Sequence, residues 1–332
     1  MRIRVCCLLL CILLLCAPLC ACAKSAESTE TFFFMDTLIT VTLYTDGQSA
    51  KPIFAGAHSI LAELDALWSR TREGSDTWRI NQASGESVLV DVRTQDLLSK
   101  ALEVSLATKG AFDITVAPLV ELWQRSEKNN RLPTSSELTA ALALVGEGKI
   151  GLKESSVSKE CKDVAIDLGG IGKGAAISQL IAYLESCDLP GGLVSFGSNV
   201  AVFGAKPDGR DFRIALRNPT GASPYAGTLT VRQGEVLSVS GDYERYYTVE
   251  GEHYHHILDP QTGYPSEKGL TSVAVLCADG ALADALSTAL FVMGEEEARE
   301  LYRSAKYEFE AVFISKEGKV TVTEGLENRF TP

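Results

Sequence analysis

The stretch Val164-Ala165-Ile166-Asp167-Leu168-Gly169-Gly170-Ile171-Gly172-Lys173-Gly174-Ala175-Ala176 constrains the fold more than any other part of the chain. The apolar residues Val164 to Leu168 predict a strand. The glycines then predict a tight turn, and Ala175, Ile177, Leu180, Ile181 and Leu184 recur at helical spacing, which predicts a helix from about Gly174. Glycines let backbone approach a ligand closely, and Lys173 adds a cation where a helix start offers free N–H groups, an arrangement suited to phosphate. Neither common nucleotide fingerprint is present: Gly174 follows Lys173 where a P-loop needs Ser or Thr, and the spacing G-x-G-x-x-G is absent. Taken alone, the turn reads equally as a tight structural connection.

Residues 1–22 read as an export signal. Arg2 and Arg4 precede an apolar run from Val5 to Leu19, which ends in Leu19-Cys20-Ala21-Cys22. That ending is similar to a bacterial lipobox, so Cys22 is the expected lipidation site. Ala23 to Thr31 would then be a polar tether, and residues 32–332 the folded domain. The expected location is exported, on a membrane-anchored lipoprotein at the periplasmic or cell-surface side of the inner membrane. Six of the nine cysteines lie at or before Cys22, and the remaining Cys161, Cys187 and Cys277 form neither a disulfide framework nor a C-x-x-C metal pair. A net charge of −12 argues against nucleic acid as a partner, and an anionic ligand would need local help from amides, a Lys or a metal ion.

Beyond the tether, Thr37 to Tyr44 alternates with period two and predicts a strand. Ile53 to Trp68 and Thr94 to Lys109 have helical spacing, with Gly110 as a stop. Arg125 to Ser136, charged and holding Asn129-Asn130 and Pro133, reads as a mobile surface loop. Short apolar runs at Leu193–Phe196, Val200–Phe203, Phe212–Leu216, Leu229–Val231, Val236–Val239 and Thr271–Ala278 predict a mostly antiparallel sheet. Ala281–Met293 and Glu295–Ser304 read as helices, and Phe309–Ser315 with Lys319–Thr323 as a closing hairpin. The fold class is therefore α+β, with mixed, mostly antiparallel sheets and flanking helices.

Three of the four histidines, His253, His255 and His256, lie between Gly251 and Pro265, a pattern associated with metal or acid/base chemistry. On a strand His255 and His256 point to opposite faces and cannot chelate one ion side by side. Asp284 and Thr288 are four apart on a predicted helix, so their oxygens share one face. The pair is a candidate hard-cation site of the kind Mg²⁺ uses, or an ordinary helix-start Asp.

Seven blocks in order, Met35-Asp36-Thr37, Ser69 to Ser75 with Asn81, Phe112 to Val120, Asp167 to Gly174, Ser240 to Arg245, His256 to Pro265 and Ala283 to Thr288, resemble the FAD:protein FMN transferase (ApbE) family over nearly all of the mature chain. The resemblance implies two intimately packed lobes with an FAD site between them. It also implies Mg²⁺-dependent transfer of FMN from FAD, as substrate, to a Thr or Ser hydroxyl of an acceptor protein, with release of AMP. It carries Gly170, Asp284 and Thr288 over as Mg²⁺ ligands, with the Gly170 carbonyl as donor. Met35, Thr71, Asp113, Asp167, Lys173 and His256-Ile257-Leu258 become contacts to FAD, and His256 the catalytic residue. Ser178, Ser198 and Val239 depart from the family's usual Asp, Gly and Thr. The competing expectations are an FAD pyrophosphatase that gives FMN and AMP, and a non-catalytic FAD-binding lipoprotein.

Overall fold

The computed structural model describes residues 26–221 and 223–332, so the expected signal, Cys22 and the first tether residues lie outside the described residues. The chain opens with β1 (Ala26–Phe34) and β2 (Thr37–Thr45), joined by a turn in which Met35 and Asp36 both take positive φ (51° and 54°). There follow α1 (Lys51–Trp68), α2 (Asp76–Gln82), β3 (Val88–Leu89), α3 (Val92–Ala107), α4 (Ala117–Lys128), α5 (Ser135–Leu142), β4 (Ile150–Lys153), β5 (Ser156–Lys159) and α6 (Gly172–Ser186). The strands β6 (Gly191–Phe196), β7 (Asn199–Gly204), β8 (Phe212–Arg217), β9 (Tyr225–Val231), β10 (Val236–Gly241), β11 (Tyr246–Val249), β12 (Glu252–His255) and β13 (Leu270–Cys277) come next. The chain closes with α7 (Gly280–Met293), α8 (Glu295–Arg303), β14 (Glu310–Ser315), β15 (Val320–Val322) and β16 (Phe330–Thr331).

An eight-stranded sheet in the order β1-β2-β6-β7-β10-β13-β14-β15 organises the molecule, and each of its pairings is antiparallel. Within it β13 lies between β10 and β14, and its eight residues are all buried because both faces are covered. Val273 and Val275 join a core with Leu61 and Leu64 of α1, Leu180 of α6 and Leu286 of α7. Ala274 and Leu276 join a second core with Phe212, Leu229 and Val231, from the small sheet β16-β9-β8. The helices thus cover one face and a second sheet the other. A third cluster, centred on Trp123 with Leu119, Leu138, Tyr247 and Leu258, ties α4 and α5 to the β11–β12 hairpin.

Three expectations are corrected. Ala26 to Thr31 belong to β1 and are not tether. Their polar alternation is that of a water-facing edge strand, whose Thr29 and Thr31 hydroxyls meet Thr42 and Thr40 across the pair at 3.1 and 3.4 Å. Arg125 to Ser136 is loop only from 129 to 134 and helical at both ends. Arg125 and Lys128 lie in the last turn of α4, an amphipathic helix started by Pro118, and a capping box between Thr134 and Glu137 opens α5. Val164 to Leu168 run without a strand partner. The Asn81 side chain takes the partner's place, donating to the Ile166 carbonyl at 2.9 Å and accepting the Ile166 N–H at 2.8 Å. Among the described residues no helix is long and apolar enough to cross a membrane, and Cys161, Cys187 and Cys277 form no disulfide with one another.

Candidate active site

The glycine-rich turn delivers α6 against the start of α7, and the crossing point explains Gly174. A Cβ there would lie 1.9 Å from the Gly280 carbonyl oxygen and 2.6 Å from the Asp284 Cβ, so only glycine fits. The Gly174 N–H donates to Asp284 Oδ2 at 2.9 Å, and the Lys173 ammonium is 3.6 Å from the same oxygen. Lys173 also donates to the Gly169 carbonyl. One turn along α7, the half-buried Thr288 hydroxyl donates to the Asp284 carbonyl at 3.4 Å. A Cβ on Gly170 would sit 3.4 Å from Thr288 Oγ1, which brings Gly170 beside Thr288, one turn along α7 from Asp284. Asp284 itself is 4% exposed.

His256 follows β12 and closes the hairpin. Its backbone N–H and its Nδ1 both meet the Arg245 carbonyl, at 3.1 and 3.0 Å. Nδ1 must therefore carry the proton, which leaves Nε2 as a free base. The side chain keeps a partly open face, but the protein massed around it pushes its pKa down to about 4, with Arg245 and Lys173 adding to the depression. His256 is neutral at pH 7. His255 turns the other way, edge-on to Phe291 at 5.5 Å with Nε2 3.0 Å from the Ser266 carbonyl, so the two histidines do separate as the strand parity predicts. His253 lies outside the site, against Tyr246 and Thr248.

The remaining expected contacts differ in what they offer. Asp167 receives the Gly169 N–H at 2.7 Å and pairs with Arg70 at 3.2 Å. The Met35 N–H donates to Asp65 at 3.1 Å, and the other Asp65 oxygen is 3.3 Å from Arg72, which ties the β1–β2 turn to the loop carrying the exposed Thr71. Asp113 is 6% exposed, and its Oδ1 caps a short turn by accepting the Thr115 N–H and hydroxyl, at 2.7 and 2.5 Å. Burial raises its pKa. Ile257 and Leu258 place their side chains in the first and third cores, so what they can present to a ligand is backbone.

A model of the ApbE family matches residues 35–313. The chain belongs to the ApbE family. It is 32% identical over 283 residues to the FAD:protein FMN transferase of Escherichia coli K12, covering 82% of this chain and 80% of that one. The FAD:protein FMN transferase of Haemophilus influenzae is 30% identical over 285 residues, 82% of each chain. Among solved structures, the ApbE protein of Thermotoga maritima superposes with a TM-score of 0.83 at 30% identity, over 92% of this chain and 100% of that one. The apo flavinyl transferase ApbE of Pseudomonas stutzeri gives 0.80 at 29% identity, over 92% and 97%. The α+β expectation, with mostly antiparallel sheets and flanking helices, holds.

Among the described residues no three His, Cys, Asp or Glu side chains gather as a metal cage. In this ApbE-family chain Gly170, Asp284 and Thr288 offer one carboxylate, one hydroxyl and a backbone carbonyl. Such a sparse, hard-oxygen set fits Mg²⁺, which keeps water or phosphate in its other positions. Three further residues at the site were given no role from sequence. Arg70 bridges Asp167 and Glu121. Arg245 reaches the Asp36 carbonyl at 3.2 Å and so joins the histidine hairpin to the Met35 turn. Glu244 keeps a solvent-open side, yet the protein around its carboxyl raises its pKa more than the nearby Lys173 lowers it. All three lie inside motif blocks, but only the folded chain shows which way they point.

Proposed function

We propose that this chain transfers FMN from FAD to a Thr or Ser hydroxyl of an acceptor protein and releases AMP, in a Mg²⁺-dependent reaction. The observation that carries the reading is a neutral His256 with a free Nε2, in the same electrostatic neighbourhood as Lys173, which is 3.6 Å from Asp284. The acceptor hydroxyl attacks the FMN phosphorus, its proton passes to His256 Nε2, and the bond from that phosphorus to the bridging pyrophosphate oxygen breaks, with AMP keeping that oxygen. Lys173 and the N-terminal turn of α6 hold the pyrophosphate charge, and the Met35 turn, Thr71 and Asp167 line the flavin side. When bound at Gly170, Asp284 and Thr288, Mg²⁺ would supply charge neutralisation at the phosphates. Positioning and neutralisation are what phosphoryl transfer chiefly needs, and a well-placed general base adds about 10²–10⁴ in rate. The reading extends to location: an exported protein anchored to the membrane through a lipidated Cys22.

The test uses protein lacking residues 1–22, incubated with FAD and Mg²⁺, with and without an acceptor domain. Chromatography follows AMP and FMN, and mass spectrometry follows the acceptor. The expected result is AMP released in step with an acceptor mass gain of one FMN. AMP and free FMN without an adduct would make the chain an FAD pyrophosphatase. Bound FAD with no AMP would make it a binding lipoprotein and overturn the roles of His256 and Asp284.

A further inference from the structure

Behind Asp284 lies a buried cluster of small polar side chains with no part in the transfer chemistry. Asn199, Ser238 and Ser287 are each fully buried. Ser238 Oγ is 2.6 Å from Asn199 Oδ1, 3.2 Å from Asp284 Oδ1 and 3.2 Å from Ser287 Oγ. Ser287 Oγ donates to the Asp284 carbonyl at 2.9 Å, and Ser240 Oγ stands 2.8 Å from Ser287 Oγ and 3.4 Å from Thr288 Oγ1. Asn199 Nδ2 has no partner among the described residues.

Counting protons decides how this cluster is wired. Ser287 gives its proton to the Asp284 carbonyl and can only accept from Ser240 and Ser238. Ser238 owns one proton and faces three acceptors, of which the Asp284 carboxylate is the strongest because it is charged. Were that proton given to Asn199, Asp284 Oδ1 would lose its donor while a buried amide N–H stood unpaired, the less tolerated kind of orphan. A half-turn of the Asn199 amide interchanges atoms of nearly equal size and removes both defects: Nδ2–H donates to Ser238 Oγ, and Ser238 donates to Asp284 Oδ1.

We infer that Asn199 and Ser238 form a donor relay that orients the Asp284 carboxylate for its cation. The Gly174 N–H fixes Oδ2 and Ser238 fixes Oδ1, so the carboxylate plane is set before any metal arrives, and the Ser240–Ser287 pair steadies Thr288 in the same way. Ser238 and Asn199 are positioning residues. Outer partners of this kind commonly govern metal affinity by about 10–100-fold. The inference rests on the Mg²⁺ reading given above.

The test is equilibrium binding of Mn²⁺, as a paramagnetic substitute for Mg²⁺, followed by electron paramagnetic resonance at low temperature with FAD present. Wild type is compared with Ser238→Ala, Ser238→Thr and Asn199→Asp, whose carboxylate cannot donate. Circular dichroism, and FAD binding in chelator, check that each variant is folded. We expect Mn²⁺ to bind about tenfold or more weakly in Ser238→Ala and Asn199→Asp, with Ser238→Thr close to wild type. Variants that lose thermal stability yet bind Mn²⁺ within twofold of wild type would overturn the relay and leave the metal site standing. A wild type that binds no Mn²⁺ would overturn the metal reading, and the relay would fall with it.

Discussion

At the scale of single residues, His256 makes the clearest demand on experiment. A protonated imidazole cannot accept the acceptor's proton, so kcat/KM should fall on the acid side with a midpoint near 4 rather than at the ordinary 6.5. His256→Ala should remove that limb and slow transfer by about 10²–10⁴ while FAD still binds. The same depression affects stability. Between pH 6.5 and about 4 the unfolded chain holds the extra proton, so stability falls as pH is lowered through that window, and urea titrations of wild type and His256→Ala should differ there. Asp284→Ala should abolish Mg²⁺-dependent turnover, and normal rates in that variant would remove the metal assignment. Lys173→Met should weaken FAD binding by roughly 1.5–3 kcal/mol, tenfold or more in Kd by calorimetry, since it deletes a charged donor. The glycine-rich turn, the clustered histidines and the four-residue spacing of Asp284 and Thr288 were all visible in the sequence because each is local. Arg70, Arg245 and the Asn199–Ser238 pair were not, because their partners come from segments far away along the chain.

At the scale of elements, the α6–α7 crossing sets the site's tolerance. Gly174→Ala should destabilise the protein by about 1–3 kcal/mol or more and loosen Asp284, because its Cβ has no room against Gly280. Gly172→Ala, whose Cβ would meet nothing closer than 3.8 Å, serves as the tolerant control in the same denaturation series. Ser178, one of the departures from the family pattern, accepts the Gly280 N–H at 3.1 Å. It caps the start of α7 beside the Gly174–Gly280 crossing, so its effect belongs to that helix junction. Most helices and sheet strands were legible from periodicity. The misread segments have physical causes: β1 is polar because it is an edge, α4 is charged on its water face, and Val164–Leu168 looks like a strand because it is buried and extended although a side chain fills the partner's place.

At the scale of the whole molecule, a chain of net charge −12 gathers Arg70, Lys173 and Arg245 about the glycine-rich turn and His256, which concentrates cationic help where an anionic dinucleotide would need it. The proposed anchor predicts that Cys22→Ser moves the protein from the membrane fraction to the soluble exported fraction without changing transfer rates, as fractionation and the flavin assay would show. The Trp123 cluster has an optical consequence. Its indole lies 5.2 to 5.9 Å from the rings of Tyr247 and Tyr254, on the hairpin that carries His256, and of Tyr264, in the turn that follows. Light absorbed by those tyrosines passes to the indole, and indole emission overlaps flavin absorption, so an arriving flavin should dim this natural lamp and its departure should restore it.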